Sequence, residues 1–258
     1  MTHSHVGRRR RSALRERFQA RIPTWYRAWM HLAFTLGTSA ALTYLFMSRA
    51  MAHGVRPWVW VLAPVAYLGC NVAEYVLHRW PMHRRPRRKR PMWERFFHHH
   101  TLNHHRYFDD RHLEVRKLRE LFFVMITAHA TAVAALMLTV SYFAFRFTLG
   151  VDVAAVVCVS IIAYGLSLEI LHAAFHLPAV WQRKWPFNNR LFRNLRRHHR
   201  AHHDPRMMTR YNFNIVFPFS DYLFGTLMPH AQEAAYKPPP PQPAEAAASA
   251  GGSTPPRA

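Results

Sequence analysis

Thirteen of the chain's 20 histidines fall into four short motifs, and ten of them have spacing that suits metal ligation. His78 and His83 stand in HRWPMH, and His100, His104 and His105 in HHHTLNHH. His172 and His176 stand in HAAFH, and His199, His202 and His203 in HHRAHH. With 3.6 residues per helical turn, His172 and His176 share one face, so their imidazoles can converge on one ion. Adjacent histidines on a helix diverge by about 100°. The doublets His104/His105 and His202/His203 are therefore expected to straddle two metals rather than serve one. Pro81 disfavours continued helix, which places His83 on a turn. His31, His53, His112, His129 and His230 are isolated and read as ordinary core or surface residues; His3 and His5 read as part of a mobile arm.

The elements that must carry these motifs are membrane helices. A spanning helix needs roughly 20 mainly apolar residues, and four stretches qualify, at about 28–47, 58–77, 121–145 and 153–171. Short connections join the first to the second and the third to the fourth, giving an expected all-α fold of two helical hairpins. The motifs HRWPMH and HAAFH abut the ends of the second and fourth spans. Residues 1–27 read as a basic arm, 28–236 as the membrane domain and 237–258 as a disordered Pro/Ala-rich tail.

Charge gives the orientation. Of 35 Lys and Arg residues, all but Arg49, Arg56 and Arg146 lie in the N-terminal arm, in 79–119 or after His176. The positive-inside rule assigns that side, with both termini and all four motifs, to the cytoplasm. The net charge of +22 also raises nucleic acid as a partner, with Arg8–Arg11 and Arg84–Arg90 as the clusters. Beside apolar spans they are better read as facing anionic lipid. Arginine so outnumbers lysine that a GC-rich bacterial genome, and hence a bacterial inner membrane, is favoured. Cys70 and Cys158, the only cysteines, lie in apolar runs and suggest neither a disulfide nor a thiolate site.

The order HRWPMH, H-x3-HH, HAAFH, HRAHH resembles the fatty acid hydroxylase (sterol desaturase) superfamily. The stretch 212–226, NFNIVFPFSDYLFGT, resembles that family's closing signature, with Asp221, Leu223, Phe224, Gly225 and Thr226 in place. The resemblance implies four spans under a cytosolic helical cap and two metals, presumed iron, held by about ten histidines. It implies one metal on His78, His100, His104, His199 and His202, and the other on His83, His105, His172, His176 and His203. The family's second motif is commonly H-x2-HH, so His98 or His99 is an alternative to His100; its usual glycine after Asn-Phe is Asn214 here.

Metal-bound histidines usually give their other N–H to a carboxylate or carbonyl. Glu74, four before His78, and Glu169, three before His172, are placed for that role, with direct ligation open to Glu169. Asp109, Asp110 and Asp204 follow histidine doublets and either support them or pair with arginine; Asn212 opens the closing signature. A nitrogen-rich shell suits iron, zinc or copper. The expected reaction is O2-dependent oxidation of an unactivated C–H bond in a lipid entering from the bilayer. Hydroxylation leads, and desaturation or sterol or carotenoid oxidation are close variants. No redox domain is visible, so an external donor is expected, an acidic ferredoxin or b-type cytochrome drawn to the basic face. A metal transporter is the contrasting class, but transporters hold their ligands near the midplane rather than at span ends.

Overall fold

A computed structural model describes residues 2–88 and 90–229, with side chains from Arg11 onward apart from Lys89. The expected tail at 237–258, His230 and the side chains of His3 and His5 lie outside the described residues. Four helices are long and apolar enough to cross a membrane: Ala28–His53, Pro57–Met82, Ala128–Thr148 and Val151–Phe175. No strand occurs among the described residues.

In chain order, α1 covers Thr2–Gln19 and α2 covers Ala28–His53. A 3₁₀ turn at Pro57–Val61 leads into α3, Leu62–Leu77, and a π turn at His78–Met82 ends that rod. After α4, Pro91–Phe97, comes a second π turn, His98–His104, and a single turn α5, His105–Tyr107. Then follow α6, Ala128–Thr148; α7, Val151–Phe175; α8, Ala179–Gln182; α9, Arg190–His202; and α10, Phe219–Leu223.

Helix α7 is the centre of the bundle and packs against α2, α3 and α6. Lipid tails are as apolar as the helices, so close approach rather than hydrophobic expulsion must drive this packing. Ala154, Ala155 and Cys158 of α7 supply a small-residue face against Phe46 and Ala50 of α2 and Tyr142 of α6. Phe46 and Tyr142 stack with ring centroids 4.2 Å apart. At the end remote from the histidines, Arg56 bonds Asp152 through Nε at 2.7 Å and a terminal nitrogen at 2.8 Å, tying the first connection to the start of α7.

Two expectations change. The apolar run from Leu121 does not begin a spanning helix, because Leu118–Phe123 forms a 3₁₀ turn and α6 starts at Ala128, its N-cap Thr127 accepting from the Ala130 amide. Those intervening residues are needed elsewhere, since the carbonyl of Phe123 accepts from His104. Nor is the basic arm loose. Phe18, Ile22 and Tyr26 are buried in a core with Tyr107, Phe108, Leu113 and Phe123. Arg15 forms a buried ion pair with Glu120, and Gln19 donates to the same carboxylate at 2.7 Å. The arm thus braces the segments that carry and hold the histidines.

Candidate metal centre

All ten candidate histidines are buried, none more than 9 % exposed. Their ring nitrogens gather into two groups, each with ligand atoms within 4.8 Å of one another. His78, His83, His100, His105 and His202 form the first, and His104, His172, His176, His199 and His203 the second. The grouping differs from the one implied by the family resemblance, and helical geometry gives the reason. A π turn brings residues five apart into register; the turn at His78–Met82 therefore joins His78 to His83, and the one at His98–His104 joins His100 to His105. In α-helix residues four apart align, which joins His172 to His176 and His199 to His203. His202 and His104 then complete the two fives, and the doublets His104/His105 and His202/His203 each straddle the pair of groups. The same wide turn absorbs the extra residue of H-x3-HH: His100 reaches the centre, whereas His99 bonds the main chain at Met125.

Five of the ten rings have their outer nitrogen held by a main-chain oxygen, while His83 Nδ1 meets the Thr101 hydroxyl at 3.4 Å and His105 Nδ1 is buried without a partner. His104 Nδ1 donates to the carbonyl of Phe123 at 2.9 Å, His176 to Leu113 at 2.6 Å, His202 to Tyr211 at 2.9 Å and His203 to Phe108 at 2.7 Å. His78 donates likewise to Phe213. A carbonyl can only accept, so each of these rings carries its proton on Nδ1 and turns a bare Nε2 lone pair inward. His104 and His203 thereby present two lone pairs to each other 3.2 Å apart, a contact that no hydrogen bond can satisfy and a shared cation would.

The spacing fits such an ion. Neighbouring Nε2 atoms are 2.8 Å (His78–His100), 3.1 Å (His100–His105) and 3.0 Å (His83–His202) apart in the first group. In the second they are 3.2 Å (His104–His172), 3.1 Å (His176–His199) and 3.1 Å (His199–His203). With a metal–nitrogen bond of about 2.1 Å, ligands at right angles lie about 3.0 Å apart and tetrahedral ones about 3.4 Å. The observed edges match right angles. Each group would therefore hold an ion through five ring nitrogens. The two groups abut, with the rings of His105 and His203 stacked 4.3 Å apart.

Burial holds His83, His100, His104, His105, His176, His199 and His203 well below the ordinary imidazole range. Burial also lowers His202 to about 4, against the opposing pull of the Tyr211 carbonyl and Asp221. Neutral rings are the form that binds a metal.

The acids behave differently from the sequence reading. Glu169 accepts from the Ile126 amide at 3.2 Å, belongs to neither group and bonds no histidine, so the ligand role left open for it is not seen. Glu74 also misses the rings. Its carboxylate accepts from the Ile215 amide at 2.6 Å, from Asn214 Nδ2 at 3.1 Å and from the Tyr164 hydroxyl, and so fixes the closing loop that presents the Phe213 carbonyl to His78. Asp204, itself buried, pairs with the exposed Arg206, and Asp109 with His112 and Arg11, so each forms an ion pair rather than bonding a ring of the two groups. Asn212 takes a positive φ of 60° and joins the loop ends, donating to His198 O at 3.1 Å and accepting from the Met228 amide at 2.9 Å.

Sequence reasoning missed Asp221 as the knot of that loop. Its carboxylate accepts from the Phe213 amide at 2.9 Å, the Asn214 amide at 2.7 Å and the Thr226 hydroxyl at 2.8 Å. His198 Nε2 lies 3.3 Å from Asp221 without the alignment of a hydrogen bond. Asn71 was missed too. It accepts from Ser220 and donates to Tyr164 and the Phe217 carbonyl, pinning the loop to α3. Asn214, where the family usually has glycine, answers with its own side chain, accepting from the Asp221 amide at 3.1 Å.

A family model described as fatty acid hydroxylase matches residues 63–226. The chain belongs to the fatty acid hydroxylase family. The matched stretch opens in α3 and closes at Thr226, so it contains all ten histidines and the loop knotted by Asp221, and leaves α1 and α2 outside. Neither curated proteins nor solved structures give a match to the chain. Family membership and four apolar helices make this a membrane protein of the fatty acid hydroxylase type, with two histidine clusters that could hold metal ions.

Proposed function

We propose that the protein oxidises an unactivated C–H bond of a lipid with O2, most simply hydroxylating a fatty acyl or related long chain. The observation that carries this is the pair of five-nitrogen groups with inward lone pairs and right-angle edges. His78, His83, His100, His105 and His202 would hold one ion, and His104, His172, His176, His199 and His203 the other. Iron is the active form on this reading, and zinc can take its place in purified material. Two such ions, given electrons, supply the activation of O2 that no side chain can perform. The overall change is RH + O2 + two electrons + two protons to ROH + H2O, so an external donor is required. The chain itself keeps the rings neutral, fixes the tautomers of five of them through main-chain carbonyls and buries all ten from bulk water.

The histidine ends of the spans, the cap and both termini face the cytoplasm on this reading, because the cations gather there. Lipid reaches the site from the inner leaflet, and an acidic ferredoxin or b-type cytochrome docks on the basic surface. Desaturation is the close variant, separated by product mass.

The test compares lipids of cells expressing the wild type, His172→Ala and His202→Ala. A new oxygenated lipid is expected only with the wild type, while both variants still reach the membrane. Turnover retained in both variants would overturn the proposal.

A further inference from the structure

The connection between α7 and α9 exposes residues that the metal centre does not use. Val180, Trp181, Trp185 and Leu191 are 52 %, 53 %, 91 % and 69 % exposed. Interleaved with them, Arg183, Lys184, Arg190 and Arg193 are exposed as well. No acidic residue occurs between Glu169 and Asp204. The depth of this stretch is fixed by its other side chains: Phe187 and Leu195 pack in one cluster with Leu168 and Leu171, from the last two turns of spanning helix α7. Lys184 lies over the Trp181 ring and Arg193 donates to Asn188, but none of these four cations forms an ion pair with a described residue. Tryptophans and aliphatics beside such cations, at the level where a span ends, are the composition of a segment lying in the headgroup region.

We infer that residues 179–191, with the first turn of α9, rest in the bilayer interface and grip anionic lipid. The inference rests on the reading of α7 as a membrane span. It has a consequence for the centre, because α9 carries His199 and His202 and ends on His203 as its C-cap. The lipid surface then acts as the seat on which that helix is set.

The experiment uses the full chain in nanodiscs of phosphatidylcholine, with or without phosphatidylglycerol, some lipid being brominated high on the acyl chain. Tryptophan emission is compared between the wild type and Trp181→Phe/Trp185→Phe. The signal assigned to this pair should be quenched by the brominated lipid, and about twofold more strongly with phosphatidylglycerol present. Arg183→Glu/Lys184→Glu should abolish that lipid dependence while leaving incorporation intact. If the pair is untouched by brominated lipid and quenched by acrylamide like free indole, the segment faces water, as an acidic protein's docking surface would, and the inference is overturned. Failure of every variant and the wild type to enter discs would instead sink the membrane reading beneath it.

Discussion

Replacing Asp221 by asparagine isolates what the closing loop does for the first histidine group. The substitution keeps shape and one oxygen, so the bonds from the Phe213 amide and the Thr226 hydroxyl to Oδ1 can persist. The other oxygen, 2.7 Å from the Asn214 amide, becomes an NH2 group, and donor then faces donor. One hydrogen bond to a buried charge is lost, which costs about 1.5–3 kcal/mol. That strain falls on the segment whose Tyr211 and Phe213 carbonyls hold His202 and His78, both of the first group. The second group is held through Phe108, Leu113 and Phe123, which belong to other segments. Loss of such an outer partner typically weakens a metal site by about 10–100-fold. Chelator titration of purified protein, with metal counted, should therefore show one ion leaving at a correspondingly lower chelator concentration and the other unmoved. Asp204→Asn, which disturbs the pair with Arg206 and the attraction of Arg111 but none of these carbonyls, should match the wild type. Equal weakening of both ions, or of neither, would refute the assignment of this loop to one group.

Two further outcomes follow from buried charge. Arg15→Ala leaves the Glu120 carboxylate buried without its ion-pair partner, bonded by Gln19, the Arg116 amide and the Tyr107 hydroxyl. Breaking one side of a buried pair costs about 3–5 kcal/mol, so thermal unfolding should come earlier and α1 should become open to protease; unchanged protease resistance would count against the bracing role. In acid the sign is set by lowered histidines: the unfolded chain takes up protons near pH 6.5, the folded His202 only near 4. Between those values the unfolded state binds more protons, so metal-free protein should be fully stable above about pH 6.5 and lose stability on the way down. His202 alone contributes about 3 kcal/mol to that loss, and a melting temperature flat from pH 7.5 to 4.5 would contradict the neutral, buried ring.

The histidines were legible because ligation needs that residue type at helical spacing. His172 and His176 declare a shared face, and the doublets declare two groups, from the 3.6-residue repeat alone. Their partition was not legible, since His78/His83 and His100/His105 pair through π turns that no composition signals. Glu74 and Glu169 drew attention as acids beside ligands, yet the groups that bond the rings are carbonyls of Phe108, Leu113, Phe123, Tyr211 and Phe213. Every residue has a carbonyl, so nothing in a sequence marks these five. The spans were visible as apolar runs, but the start of α6 depended on a carbonyl's distant use by His104, and the docking of α1 on long-range packing.

The holding of imidazoles by peptide oxygens carries an evolutionary corollary. A carboxylate that orients a ligand vanishes with one codon change, whereas a peptide oxygen survives any substitution that spares the local backbone path. The half-buried Tyr211 is thus free to drift in side chain so long as its turn is kept, whereas Phe108, Leu113 and Phe123 are constrained a second time by the core their side chains fill. Selection on this scaffold then acts on the route of the chain around the histidines, and insertions or deletions nearby should be tolerated far less than replacements.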